Sequence, residues 1–366
     1  MIGVSQSTLK KGGLYMKKII TSLVAVALLS FVAFAEDGEG LSVKGYLRAG
    51  MTDTTEGSVY TTDTWMHGGY FGGKTRLRVN VDYTKAFGGL TFRYQQTEHL
   101  TDFFNNDNLK WAMGYANLLD GQVIAEAGVL SDRFTKTGGW EDEGIGHGRG
   151  FRLVLAPQAV SGLTLVAQAS DKYADKYTAT DSKVEDGKAK AGDVKFDKKV
   201  LGFSAKYDHE LFFVTGGAAL AGYYYGSVGL KAVENLTLVG EVFHDATDDT
   251  KAKNGDKATT MIVAWVEYKG IDRLLVGAYS YINLCDGKHS TEITPAVAYG
   301  LTDLFTLSVE SSIYLSSKEG AKTYATISPG VTFKASDKAT ATASGLISTD
   351  KDQAKHAFTA GVRYNF

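Results

Sequence analysis

Lys74, Arg76 and Arg78 occupy every second position, a spacing that puts three cations on one face of an extended strand. Lys44, Tyr46 and Arg48 repeat that pattern upstream, Arg93 with Gln95 repeats it downstream, and Arg152 continues it. The opposite sign comes from Asp132 and from the run Glu141-Asp142-Glu143, set among Gly138, Gly139, Gly144 and Gly146. Cations fixed on strands and acids on a glycine-bearing loop can orient and select charged solutes through a field. They are not the equipment for breaking bonds. No nucleotide-binding loop, GxSxG elbow, HExxH or CxxC is present. The seven His residues are scattered. His244-Asp245 has no second acidic pair placed with it, and His99 follows Glu98 near a connection, where solvation explains both. Asp248-Asp249 and Gly255-Asp256 fit no EF-hand spacing. Neither a metal nor another cofactor is therefore expected, and no enzymatic activity. Cys285 is the single cysteine, so no internal disulfide can form.

The elements that must position these groups are strands. Glycine is abundant at 42 residues and proline scarce at 3, beside 20 Tyr and 18 Phe, which suits many glycine-punctuated strands better than a soluble α/β enzyme. Val79, Val81 and Tyr83 alternate with Arg78, Asn80 and Asp82. Leu90, Phe92 and Tyr94 alternate with Thr91, Arg93 and Gln95, and Phe305, Leu307 and Val309 with Thr306, Ser308 and Glu310. The connections between such segments also alternate. Short ones lie at 85–89, 120–121, 208–210, 233–235, 269–272, 302–303 and 336–338. Longer polar ones cover 54–69, 97–108, 131–149, 171–198, 245–257, 284–290, 316–321 and 349–354. That asymmetry belongs to transmembrane barrels with short turns at one rim and long loops at the other. Eighteen strands fit from Leu41 to Phe366, or sixteen if the glycine-rich hairpin Leu211–Ala232 fails to form.

The first 35 residues read as export machinery. Met16-Lys17-Lys18 is a basic start, Ile19 to Phe34 an apolar run, and Ala33-Phe34-Ala35 a small-x-small cleavage pattern. Residues 16–35 are expected to be a signal peptide, and residues 1–15 an upstream extension, with Lys11-Gly12-Gly13 as a translated ribosome-binding sequence before Met16. Cleavage after Ala35 would remove Lys10, Lys11, Lys17 and Lys18 and no acid, which takes the net charge from −2 to −6. An exported, mildly acidic chain is not a nucleic-acid binder by its charge. Residues 36–366 are expected to form one barrel, because no other stretch is apolar for long enough to span as a helix, and a closed barrel is the remaining way across.

The chain ends Phe358-Thr359-Ala360-Gly361-Val362-Arg363-Tyr364-Asn365-Phe366, with Phe358, Ala360, Val362, Tyr364 and Phe366 on one face. Here it resembles the bacterial outer-membrane porin family. In that family the final strand ends in Phe and is read by the barrel-assembly machinery, which makes Phe358, Val362, Tyr364 and Phe366 the assembly signal. The resemblance implies an outer-membrane location, lipid contact outside and homotrimers. It also implies that the loop after the fifth strand, Val123 to Leu130, folds inward and faces a basic ladder. Asp132, Glu141, Asp142 and Glu143 would then supply the acidic side of a constriction.

Membrane register assigns the basic side. A Lys or Arg facing lipid at the midplane costs about 2–4 kcal/mol. Three on one face would rival the ~5–15 kcal/mol that stabilises an ordinary domain. Lys74, Arg76 and Arg78 must therefore look inward, and Lys44, Arg48, Arg93 and Arg152 follow by the same parity. Trp111, Trp265, Tyr268 and Tyr299 lie near strand ends, where interfacial girdles would suit some of them and an inward orientation the others. The expected function is a water-filled channel for passive diffusion of small hydrophilic solutes and ions. Two alternatives stay open: a sugar-type selective channel with inward aromatics such as Tyr46 and Tyr314, and a structural or adhesive barrel acting through its loops.

Overall fold

Side chains that alternate in polarity suit strands with different solvents on their two faces, and the chain builds almost entirely from such segments. The computed structural model describes residues 40–54, 76–97, 108–141, 143–172, 184–185, 188–189, 198–350, 352–354 and 356–366. The expected extension 1–15 and signal peptide 16–35 lie outside the described residues, as do Lys74, Asp142 and most of the 54–69 and 171–198 connections.

Eighteen strands form one antiparallel sheet. They are β1 (Gly40–Thr54), β2 (Arg76–Lys85), β3 (Gly88–Thr97), β4 (Leu109–Leu118), β5 (Val123–Val129) and β6 (Arg149–Leu155). Next come β7 (Leu163–Ser170), β8 (Leu201–Asp208), β9 (Phe212–Ala219), β10 (Tyr223–Leu230), β11 (Leu236–Asp245) and β12 (Thr259–Ile271). The last six are β13 (Leu274–Cys285), β14 (Lys288–Gly300), β15 (Phe305–Ser316), β16 (Tyr324–Lys334), β17 (Ala339–Ser348) and β18 (Ala357–Asn365). Each strand pairs with its neighbour in sequence, and β1 pairs with both β2 and β18, so the sheet closes on itself. A two-residue hairpin, 184–185 with 188–189, stands apart. The one short α-helix among the described residues, α1 (Asp248–Lys253), lies in the connection after β11 with Thr247 as its N-cap.

The closure seam extends to Phe366. Gly45 N–H donates to the Phe366 carbonyl at 2.9 Å, and Phe366 N–H donates to the Gly45 carbonyl at 3.0 Å. Position 45 must be glycine, since a Cβ there would overlap both the Phe366 ring and the Arg78 carbonyl.

The two faces of the wall reverse the usual order of a soluble protein. Leu47, Leu153, Val242, Leu307 and Val362 on the outside are 42–57% exposed, whereas Glu126, Arg152, Glu241, Glu267 and Glu310 on the inside are buried. A continuous apolar exterior of this extent needs hydrocarbon around it. No described helix is long and apolar enough to cross a membrane. Phe358, Val362, Tyr364 and Phe366 all stand on this outer face.

The hairpin β9–β10 blurs the alternation because its glycines serve as floors for rings. A Cβ at Gly217 would meet the Tyr225 ring, and one at Gly229 the Phe213 ring. One expectation is corrected. The 284–290 connection is a tight turn through Asp286 (φ 50°) and Gly287 (φ 71°), because left-handed backbone at both positions lets the strands run on to the turn. Trp111 and Trp265 face inward and join no girdle, since they pair across strands with the inward Arg93 and Tyr279, while Tyr268 and Tyr299 are exposed outside.

If hydrocarbon covers the outer face, Val242→Arg should lower the unfolding free energy in lipid vesicles by about 2–4 kcal/mol. A urea titration checks this, and an unchanged midpoint would move Val242 out of the apolar belt.

Candidate functional site

The register across β18, β1, β2 and β3 gathers the cations. Arg48 faces Arg76 on one side and Arg363 on the other, Tyr46 faces Arg78, Lys44 faces Asn80, and Asn80 faces Arg93. Arg78 donates from Nε to Gln95 Oε1 at 2.7 Å, and Arg93 donates to Asn80 Oδ1. Aromatic rings support the guanidinium groups. Arg363 lies 4.3 Å and Arg78 5.2 Å from the Tyr46 ring centre, and Arg93 lies 3.7 Å from that of Trp111. Sequence alone puts Arg363 on the polar side of the last strand and gives no reason to assign it to this patch. The link between first and last strands exists only in the closed barrel.

The opposite wall is acidic, and sequence reasoning misses it. Glu241 on β11, Glu267 on β12, Glu292 on β14 and Glu310 on β15 project from the inner face. Lys269 pairs with Glu267. In a ring of 18 strands β2 and β11 are nine apart by either route, as are β3 and β12, so Arg76 and Arg78 confront Glu241 and Arg93 confronts Glu267 across the diameter, while Glu292 and Glu310 stand on the wall between Glu267 and the closure seam. Glu267, Glu292 and Glu310 are each single in their strands, and Glu241 shares β11 only with Asp245 at its end. The signal of each is only a carboxylate at an inward parity position, and strand order is needed to add the four together.

The segment 130–148 leaves β5 and reaches this acidic wall. Its neck is closed by Leu130 N–H donating to the Gly148 carbonyl at 2.8 Å. Its tip lies against β10 to β13. Ser227 Oγ donates to the Thr137 carbonyl at 2.7 Å, Thr137 Oγ1 donates to Glu241, and Glu141 N–H donates to Glu241 Oε2 at 3.0 Å. Trp140 stacks on Tyr279 with centres 4.9 Å apart and meets Trp265 edge-on at 5.8 Å. Gly139 allows this approach, because a Cβ there would overlap the Glu241 carboxyl. These wall contacts lie four to six residues inside the outer ends of β10 to β13, so the segment crosses the barrel's interior. Ile145 is fully buried against Tyr223, Tyr225, Phe243 and Val263.

Arg152 differs from the other basic residues. It faces inward but is sealed beneath the loop, fully buried, with Nε donating to Glu126 Oε2 at 2.6 Å and Nη1 to the Ser131 carbonyl at 2.7 Å. Arg133 pairs with the other oxygen of Glu126. One carboxylate thus binds a strand guanidinium and a loop guanidinium. Asp132 sits at the loop root, paired with His147 across the neck. Burial pushes its carboxyl up, and His147 and Lys172 oppose that shift. Lys172 donates to the Gly144 carbonyl at 2.9 Å, and its burial lowers its pKa. Glu143 is exposed. Glu141 is held above its ordinary range by burial, then by the charges of Glu143 and Glu241.

The closed antiparallel barrel has an even strand number, an apolar outside and a charged inside. It is a transmembrane β-barrel. The barrel is similar to a double mutant of the Rhodopseudomonas blastica porin, at 16% identity and a TM-score of 0.48, over 89% of this chain and 100% of that one. It is also similar to OmpT, an outer membrane protein of Vibrio cholerae, at 13% identity and a TM-score of 0.47, over 91% of this chain and 99% of that one. No family model and no curated protein matches the sequence.

Two outcomes follow for the loop of this barrel. Glu126→Gln leaves the buried Arg152 without a full counter-charge and should cost about 3–5 kcal/mol of stability, read by denaturant titration. Glu141 binds its proton more tightly folded than unfolded, so its contribution to stability is greatest below the ordinary carboxylate pKa and is lost as pH rises through the raised value. Glu141→Gln should therefore unfold at a higher temperature than wild type at neutral pH, with the difference vanishing in acid. A difference independent of pH would remove Glu141 from this role.

Proposed function

We propose that the protein is a water-filled channel for the passive diffusion of small hydrophilic solutes and ions, driven by concentration gradients alone. The observation that carries this reading is the opposition of Arg48, Arg76, Arg78 and Arg93 on β1 to β3 to Glu241 and Glu267 on β11 and β12 across the barrel. Charges so far apart cannot neutralise one another by contact. They need water between them, and a barrel of 18 strands is wide enough to hold it.

The loop narrows that space on the acidic side, with Asp132, Glu141 and Glu143 adding negative charge, and Asp142 belonging to the same run. Lys44 and Lys74 extend the basic side, while Arg152 holds the loop root. The field between the two walls would turn dipolar solutes and set ion preference. No catalytic step is assigned to any of these residues. Export through the segment 16–35, insertion by the barrel-assembly machinery through the strand ending at Phe366, and assembly as homotrimers belong to the same proposal. On the outer face, small side chains at Ala49, Ala341, Ala343 and Ala360 leave a shallow apolar hollow beside the closure seam, a shape that permits close approach of another barrel.

Reconstitution in a planar bilayer tests the channel. Discrete conductance steps are expected, and a barrel that folds yet never conducts would refute the reading. Under a salt gradient, the combination Glu141→Gln, Asp142→Asn and Glu143→Gln should move the reversal potential toward anion preference. An unchanged potential would take the loop out of the selectivity mechanism.

A further inference from the structure

The inner wall near the outer mouth carries a second constellation that the opposed charges do not use. Tyr281 on β13, Glu292 on β14, Tyr314 on β15 and Tyr324 on β16 are successive cross-strand partners, so all four stand at one level of the lumen face. Tyr314 and Tyr324 stack with centres 4.4 Å apart and planes 14° from parallel. Asn283 donates to the Tyr281 hydroxyl at 3.3 Å. Glu292 accepts from the Tyr279 hydroxyl at 3.0 Å and from Thr294 at 3.2 Å. Lys322 and Gln353 reach in from two connections at the rim, and with Tyr281, Glu292, Tyr314 and Tyr324 they line a cavity of about 230 Å³. The Lys322 ammonium lies 3.4 Å from Asp350.

We infer that this cavity binds a neutral saccharide, one pyranose ring at a time. The inference rests on the channel reading, since the solute must arrive through the lumen. A pyranose has an apolar C–H face for the tyrosine rings and a rim of hydroxyls that both donate and accept. Glu292 accepts from that rim, Lys322 donates to it, and Gln353 does both. A net charge on the solute has no advantage here, because a carboxylate and an ammonium stand on the same cavity and each repels one sign. The volume lies below the ~300–1,000 Å³ of pockets for drug-sized ligands, which limits the occupant to a single ring. An open-chain polyol carries the same hydroxyls but presents no flat face to the tyrosines.

The test uses methyl α-glucoside and sorbitol as probes, with the purified barrel in detergent micelles and in planar bilayers. Methyl α-glucoside should give saturable saturation-transfer NMR signals and concentration-dependent interruptions of the ion current, and sorbitol should give neither. Tyr314→Ala should weaken glucoside binding about tenfold. Gln353→Ala, in a rim connection outside the strands, should also weaken it while leaving the barrel folded. The inference is overturned if methyl α-glucoside gives no saturable signal, if sorbitol matches it, or if both variants bind as wild type does. A barrel that conducts ions but ignores the sugar would defeat the site alone. One that binds sugar in micelles and never conducts would defeat the channel reading and leave the site standing.

Discussion

Backbone amides and carbonyls in hydrocarbon have no water to fall back on, and each one left unpaired costs several kcal/mol. The pairing of β1 with β18 answers that constraint, and the rest of the structure depends on it. Open the seam, and two strand edges face lipid. At the seam the aromatic ring of Phe366 is held over a glycine. Phe366 joins its main chain to Gly45 in both directions, while its ring covers the space that a side chain at 45 would fill. The seam also brings Arg363 beside Arg48, so residues from opposite ends of the sequence share one charged patch.

Closure turns side-chain parity into chemistry. With one face on lipid and the other enclosed, every second residue is committed to a solvent. The outer set is Leu, Val, Ile and aromatic; the inner set carries Arg, Glu, Thr and Ser. A shift of one residue in any strand would exchange the two sets, so register is held wherever charges line the inside. The loop 130–148 exploits the interior that results. Glu241, Ser227 and Lys172 supply partners from the wall and the next connection to its backbone at Glu141, Thr137 and Gly144. The triad of Arg152, Glu126 and Arg133 holds its root. A pair sealed this deeply gains little net stability over apolar packing, but losing one partner strands a charge. Its use here is to fix where the loop begins.

Much of the fold is legible in the sequence because lipid and water impose a period of two. The strand count, the short turns at one rim, the outward terminal aromatics and the inward Arg76, Arg78 and Arg93 all follow from that period and from the cost of a charge in hydrocarbon. The glycine-rich hairpin β9–β10 is the weak point, since Gly217 and Gly229 show no polarity of their own and acquire a role only from the Tyr225 and Phe213 rings above them. Trp111 and Trp265 suggest an interface by position alone. An indole suits a membrane interface and a guanidinium or a second ring equally well, and its neighbours decide.

The candidate site divides along the same line. Alternation along a strand is local, so the sequence by itself determined which residues share a face and which face is wet. It also marked the acidic, glycine-bearing loop as a separate feature. Which faces oppose one another, which cation is sealed beneath the loop, and where the loop tip comes to rest are properties of closure and of contacts between distant residues. Glu241 receives Thr137 across 104 positions, and Glu126 reaches Arg152 across 26. No period in the chain encodes such distances; the tertiary structure decided them, because charge and packing act through space.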